Sequence, residues 1–340
     1  MRINIKKYAG LLIGIAFIFS CSDWTDIEPL DLQKPIKKSE EYYQNLRAYK
    51  ASDHQVAFGW FGGWNPDAPS MSRSLASIPD SVDIISIWGD NKVDTEAKKK
   101  DLEYVREKYG TKVAFTIFAH DLPKEYKDSD EGIRQYAKDI AAKVFEYSYD
   151  GLDLDYEPGY AGYTFYFMDK AKMEVFVKTL GEILGPKSGS GKLLIIDGVP
   201  GYLNTGLNEY FDYGVVQSYY SYGYTDLQNR FMQARAVGWK PEQYIFTEDF
   251  EQHWSDGGPE FRQRDNSYVR SLDGMANFQI ELTIDGKTAL YRKMGCGAYH
   301  MEYDYNNTPN YKYLRQAIQI MNPAGKAPTP AGKIEVIDND

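Results

Sequence analysis

The stretch Asp150-Gly151-Leu152-Asp153-Leu154-Asp155-Tyr156-Glu157-Pro158 alternates acidic and apolar side chains. An extended strand points successive side chains to opposite faces. Asp153, Asp155 and Glu157 therefore share one face, and Leu152, Leu154 and Tyr156 the other. On a parallel barrel strand the outer face packs on helices, which sends the three carboxyls inward. Neighbours on one face lie roughly 6–7 Å apart. Three carboxyls at that spacing, in a partly desolvated interior, do not all ionise at neutral pH. One that keeps its proton can serve as a general acid. Pro158 and Gly159 end the strand just after Glu157 and leave that carboxyl at the rim. Asp150, of opposite parity at the strand start, reads as structural.

Around this strand the chain repeats one unit. Short β-rich runs occur at 55–62, 82–88, 112–119, 151–157, 192–199, 213–219, 243–249 and 297–303. Helical patterns lie between them: Ile133, Ala137, Ile140 and Val144 recur at helical spacing, as do Met173, Phe176, Val177, Leu180 and Leu184. Residues 94–109 read as a charged helix with Leu102, Val105 and Tyr109 inward. Eight strands alternating with helices predict an α/β fold, a single (β/α)8 TIM barrel, over residues 51–321. A dinucleotide fold is disfavoured, because the large aromatics of Gly59-Trp60-Phe61-Gly62-Gly63-Trp64 leave no cradle for a pyrophosphate.

Composition narrows the function. Of 340 residues, 49 are acidic and 39 basic, a formal net charge of -10, which argues against a nucleic-acid partner. The four histidines show no metal-ligand spacing. A divalent-cation site on the acidic strand is the competing reading, but hard cations gather oxygen ligands from loops rather than from one strand face. No metal and no cofactor are expected. Tyrosine is abundant, 29 against 16 Phe and 6 Trp. Rings with a polar tip suit a sugar-binding rim. Trp64, Trp88, Tyr222, Tyr224, Trp254 and Tyr303 fall at strand ends. Of these, Trp88, Tyr222, Tyr224 and Tyr303 are the candidate substrate-binding residues, with Glu248, Asp249 and Glu302 as polar neighbours. The long stretch 265–293 is expected to wall the cleft.

Residues 1–20 read as a signal peptide: Arg2, Lys6 and Lys7, then an apolar run from Leu11 to Phe19 too short for a comfortable membrane span. The segment ends Ile18-Phe19-Ser20-Cys21 and resembles a bacterial lipobox, so Cys21 is the expected lipid attachment. Ser22, not Asp, follows it. An outer-membrane lipoprotein is therefore expected, facing the cell surface or the periplasm. Residues 21–50 form a tether and a short helix capped by Ser39. Residues 322–340 read as a loose tail. Cys296, flanked by glycines, reads as a small core residue.

The string DGLDLDYE matches DGxDxDxE and resembles the signature of glycoside hydrolase family 18. The resemblance implies that Glu157 protonates the glycosidic oxygen. Asp155 would orient the substrate's own 2-acetamido group, whose carbonyl oxygen attacks the anomeric carbon. Asp153 would share a proton network with Asp155. The substrate must then carry N-acetylglucosamine. Gln217-Ser218-Tyr219 on the sixth strand resembles the Gln-x-Tyr of the family's endo-β-N-acetylglucosaminidases, in which Gln217 and Tyr219 would hold the acetamido group. The expected partner is an N-glycan or glycoprotein, bound by a monomer. Two alternatives stay open: a chitinase or chitooligosaccharide hydrolase, and a non-catalytic glycan-binding protein on the same barrel. The opening 54–64 and the acids after Cys21 resemble Bacteroidota lipoproteins of the family.

Overall fold

In the computed structural model, which describes residues 37–326 and 329–337, the eight runs become eight parallel strands closed on themselves. In chain order they are β1 (Val56–Phe61), β2 (Ile84–Ile87), β3 (Lys112–Phe118), β4 (Gly151–Tyr156), β5 (Leu193–Gly198), β6 (Tyr213–Gln217) and β7 (Tyr244–Asp249). Two hairpins follow: β8 (Glu260–Arg262) with β9 (Tyr268–Arg270), and β10 (Gln279–Ile284) with β11 (Lys287–Arg292). The barrel closes with β12 (Gly295–Tyr299), which pairs with both β7 and β1.

Side-chain parity sorts two cores. Outward residues such as Leu152, Leu154, Leu194, Ile196 and Phe246 join the shell under the helices. Inward residues such as Phe58, Ile84, Ala114, Ile195, Val215 and Ile245 plug the barrel. Helix Asp130–Glu146 buries Ile133, Ala137, Ile140 and Val144, and Ser129 caps it by accepting from the Gly132 N–H. Helix Lys170–Gly181 buries Met173, Phe176, Val177 and Leu180 and is capped by Asp169. Helix Glu40–Lys50 is capped by Ser39 as expected and buries Tyr43. The charged helix runs from Glu96 to Tyr104, then widens into a π turn over Val105–Tyr109. Asp150 forms a two-bonded pair with Arg106, both contacts 2.8 Å, at the foot of β4. This is the structural role its parity suggests.

Three expectations change. The eighth strand lies two residues earlier than read and stops at Tyr299, because His300 takes a left-handed backbone (φ 51°). Met301–Asn306 then coils as a 3-10 helix, so Glu302 and Tyr303 sit beyond the strand. Gly297 is required inside it: a Cβ there would lie 1.9 Å from the Phe58 carbonyl of β1. Finally, the tail is not loose throughout. Gly332–Ile337 forms β13, which pairs antiparallel with β11 and completes a three-stranded sheet. Cys21 and residues 1–20 lie outside the described residues. Cys296 is buried with a free thiol, as a core position would be.

Candidate active site

The carboxyl ends of the strands surround a cleft of about 520 Å³, the face where a parallel barrel places its chemistry. Asp155, Glu157, Gln217, Tyr219 and Trp88 all line it. Asp153 lies one layer deeper and is fully buried. Trp60 Nε1 donates to Asp153 Oδ2 at 2.9 Å, and the Thr116 hydroxyl donates to the same oxygen at 3.3 Å. Donors of this kind to a charged acceptor contribute about 1.5–3 kcal/mol each.

The register adds a fourth acid. Asp155 on β4 is the Cα partner of Asp197 on β5, and adjacent strands lie roughly 4.8 Å apart. Asp197 is 1 % exposed, and its Oδ1 accepts from Gln217 Nε2 at 3.0 Å. Burial pushes the three aspartic acids of this cluster up. Asp153 rises to about 6 and Asp155 to about 8, the latter also through the charges of Glu157 and Asp153. Asp197 is raised well above the ordinary range by burial and then by Asp153 and Asp155. The same burial, with the charges of Asp197 and Asp155, holds the Tyr219 phenol well up and therefore neutral. Its ring stacks on Tyr299, centroids 6.0 Å apart.

At the mouth, His120 stacks flat on Phe165, with ring centroids 4.0 Å apart and planes 8° apart. Burial lowers its pKa against the pull of Glu157, so a neutral imidazole flanks that acid. Trp88 stands between Tyr299 (5.3 Å) and His300 (4.8 Å). Phe118, Tyr160 and Tyr220 expose their rings along the rim, an apolar surface suited to sugar faces.

The other sequence candidates separate. Tyr222 and Tyr224 line a neighbouring basin of about 490 Å³ with Arg230, Arg262 and Arg264, not the acid cleft. That basin is fixed by β8, where the Arg262 N–H donates to the Tyr222 carbonyl at 2.9 Å. Of the stretch 265–293, Asn266 reaches this basin, and none of it lines the acid cleft. Tyr303 stacks behind the wall on His300, centroids 4.3 Å apart. Trp64 is buried, donating to Asp101 at 2.8 Å; Trp254 packs half-buried against the shell. Asp249 faces the cleft, whereas Glu248 points outward and is buried against Ser271. Glu302 accepts from His300 Nδ1 at 2.7 Å. Sequence reading missed Asp197, Trp60, His120 and Tyr299. The first two carried a signal, since Leu193-Ile195-Asp197 and Val56-Phe58-Trp60 share inward parity.

A closed parallel barrel whose mouth gathers carboxyls and aromatic rings is the framework of a carbohydrate-hydrolysing barrel. The profile of "Glycoside hydrolase family 18, BT1044-like" matches residues 23–131 and 123–320, and the chain belongs to this family. It is 29% identical over 304 residues to endo-beta-N-acetylglucosaminidase F2 of Elizabethkingia meningoseptica, covering 82% of this chain and 85% of that one. A solved Glu-to-Gln variant of BT1044 is similar at TM-score 0.72 and 29% identity, covering 84% of this chain and 93% of that one. The fold is also that of an endo-beta-N-acetylglucosaminidase variant from Cordyceps militaris, solved in complex with fucosyl-N-acetylglucosamine-Asn. That likeness has TM-score 0.65 and 21% identity, over 85% of this chain and 98% of that one. Family and relatives together support a glycoside hydrolase activity.

Proposed function

We propose that the protein is an endo-β-N-acetylglucosaminidase that cleaves between the two N-acetylglucosamines of the N-glycan core, retaining anomeric configuration. The observation that carries this reading is the convergence of Asp155, Glu157, Gln217 and Tyr219 on one cleft. Glu157 gives its proton to the glycosidic oxygen as the C1–O bond breaks. The acetamido carbonyl oxygen forms the new bond to C1, yielding an oxazolinium ion, so no enzyme nucleophile is required. Asp155 holds the acetamido nitrogen while positive charge develops there. Glu157, now a carboxylate, takes a proton from the water that attacks C1 and reopens the ring. Tyr219, held neutral, and Gln217 position the group without protonating it.

The membrane attachment through Cys21 and the outer-membrane location belong to the same proposal and rest on the signal-like residues 1–20 and the lipobox; action as a monomer is part of it as well. The test is incubation of residues 22–340 with glycoproteins of defined glycan type, with released glycans read by mass spectrometry. Glycans ending in a single N-acetylglucosamine are expected, with the other left on asparagine. Hydrolysis of chitin oligomers alone would replace the reading by a chitinase. Binding without product would replace it by a glycan-binding barrel.

A further inference from the structure

Asp153, Asp155, Glu157 and Asp197 crowd together inside the barrel mouth, and the family resemblance and the chemistry above give a role to each of them except Asp197. The fourth, Asp197, stands opposite Asp155 in register and lies within hydrogen-bonding reach of both Asp153 and Asp155. We propose that Asp197 is the positioning residue of this cluster: as a neutral acid it supplies the proton that ties Asp153 and Asp155 together, and it aims the amide of Gln217. The inference rests on the reading of Asp155 and Gln217 as holders of the acetamido group.

The unpartnered atoms support the first half. Asp153 Oδ1, Asp155 Oδ1 and Asp197 Oδ2 are each buried without a conventional donor. Three carboxylate oxygens facing one another are costly, because a buried acceptor without a donor loses its hydration uncompensated. A proton on Asp197 Oδ2 changes one of the three from acceptor to donor. The O–H then serves a carboxylate of Asp153 or Asp155. Nothing is oxidised and no bond beyond O–H is remade.

The groups that face Asp197 agree with this placement. From β4 come Asp153 and Asp155, with Glu157 above them, all acids that disfavour a further negative charge. From β6 come the neutral amide of Gln217 and the neutral phenol of Tyr219. Arg230 reaches the cluster as a donor to the Gln217 main-chain carbonyl, 3.2 Å, and its charge is paired with Asp226 at 2.9 Å. Asp197, 1 % exposed, is within reach of both other aspartates, and the proton is placed there. Hydrogen bonding from Asp197 in turn lowers the pKa of Asp155 and of Asp153.

The second half follows from Asp197 Oδ1, which accepts from Gln217 Nε2 at 3.0 Å. With its NH₂ engaged there, the Gln217 carbonyl oxygen is the end that faces the cleft. The amide is then fixed against rotation, and the acetamido N–H is left to Asp155.

Asp197→Asn and Asp197→Ala separate the possibilities. Asparagine mimics a permanently protonated acid: its NH₂ replaces the O–H and its oxygen still accepts from Gln217. The expected result is kcat within about tenfold of wild type. Alanine is expected to lower kcat by roughly 10²–10³, the range of a displaced acid–base group, with a smaller change in KM. A substrate-free measurement stands beside these: infrared difference spectra of protein labelled with ¹³C-carboxyl aspartate. Protonated-carboxyl absorption at pH 7 is expected in the wild type, where Asp155 also contributes, and the wild-type minus Asp197→Asn difference is expected to show the loss of one component. An Asn variant as impaired as Ala, or no loss of protonated-carboxyl intensity in Asp197→Asn, would overturn the proposal. If the wild type releases no glycan from any substrate, the proposed function fails, while the infrared difference still reads the proton on Asp197.

Discussion

Asp155 and Asp197 face each other as in-register partners on adjacent parallel strands, both side chains inside the barrel. Pairing of β4 with β5 fixes that proximity before any substrate arrives. The fold thus holds two carboxyls at a separation where water would keep them apart, and burial makes protonation the cheaper state.

This arrangement predicts how stability depends on pH. Asp153, raised to about 6, and Asp155, raised to about 8, bind protons more tightly folded than unfolded, and Asp197 follows the same direction. Glu248, raised to about 7 by burial outside the barrel, adds to them. Their favourable contribution is complete below the unfolded value near 4 and is lost as pH rises through the folded values. Ion-paired surface acids such as Asp90, shifted downward, titrate below that window. Thermal unfolding should show Tm falling by roughly 5 °C between pH 5 and pH 8. Asp197→Asn should flatten the slope, and a Tm that rises over this interval would contradict the protonated cluster.

Glu157→Gln removes the proposed acid while keeping its shape. Glu157 is half-buried at the rim and lines the cleft, so the core loses nothing. Glycan release should fall by about 10³-fold or more, with Tm within about 2 °C of wild type. Full release by this variant would remove Glu157 from the mechanism.

The acidic face of β4 was legible because three acids and three apolar residues alternate, and only one parity buries Leu152 and Leu154 beneath helices. Asp197 shows what such reading overlooks. A single acid in Leu193-Leu194-Ile195-Ile196-Asp197 carries no repetition, and its closeness to Asp155 comes from register between strands about 40 residues apart. The end of the last strand was misplaced because His300 turns left-handed, a backbone choice that a histidine does not announce. Tyr222 and Tyr224 were placed at the right rim, but which basin they face depends on where β8 folds back. The tail strand β13 was hidden for a similar reason: its partner β11 lies some 40 residues upstream, and a short Gly-started run looks like a strand only beside that edge.

The tail strand has a measurable consequence. Arg292 is 2 % exposed; its guanidinium donates to the Thr329 carbonyl and pairs with Asp53. Truncation after residue 328 removes that carbonyl and exposes the β11 edge. A loss of about 1–3 kcal/mol is expected in urea unfolding. The active-site cleft, at the opposite ends of the strands, should keep its kcat in the folded truncated protein. Unchanged stability would mean that β13 adds nothing to the barrel.

The rim aromatics should separate by which wall they form. Trp88 faces the cleft and is braced by Tyr299 and His300, so Trp88→Ala removes a stacking surface next to Asp155 and Glu157. KM should rise by about tenfold, a loss on the scale of one aromatic contact, with kcat changed less. Tyr303 stacks on the far side of His300 and does not line the cleft, so Tyr303→Ala should leave both constants near wild type. Tyr222, 64% exposed beside Arg262, lies in the neighbouring basin. Tyr222→Ala should therefore be silent with a truncated glycopeptide and raise KM only when the glycan is long enough to leave the cleft. Kinetics of the three variants on a short and a full-length glycan give six comparisons. An equal penalty for Tyr222→Ala on both substrates would place that ring in the catalytic cleft after all.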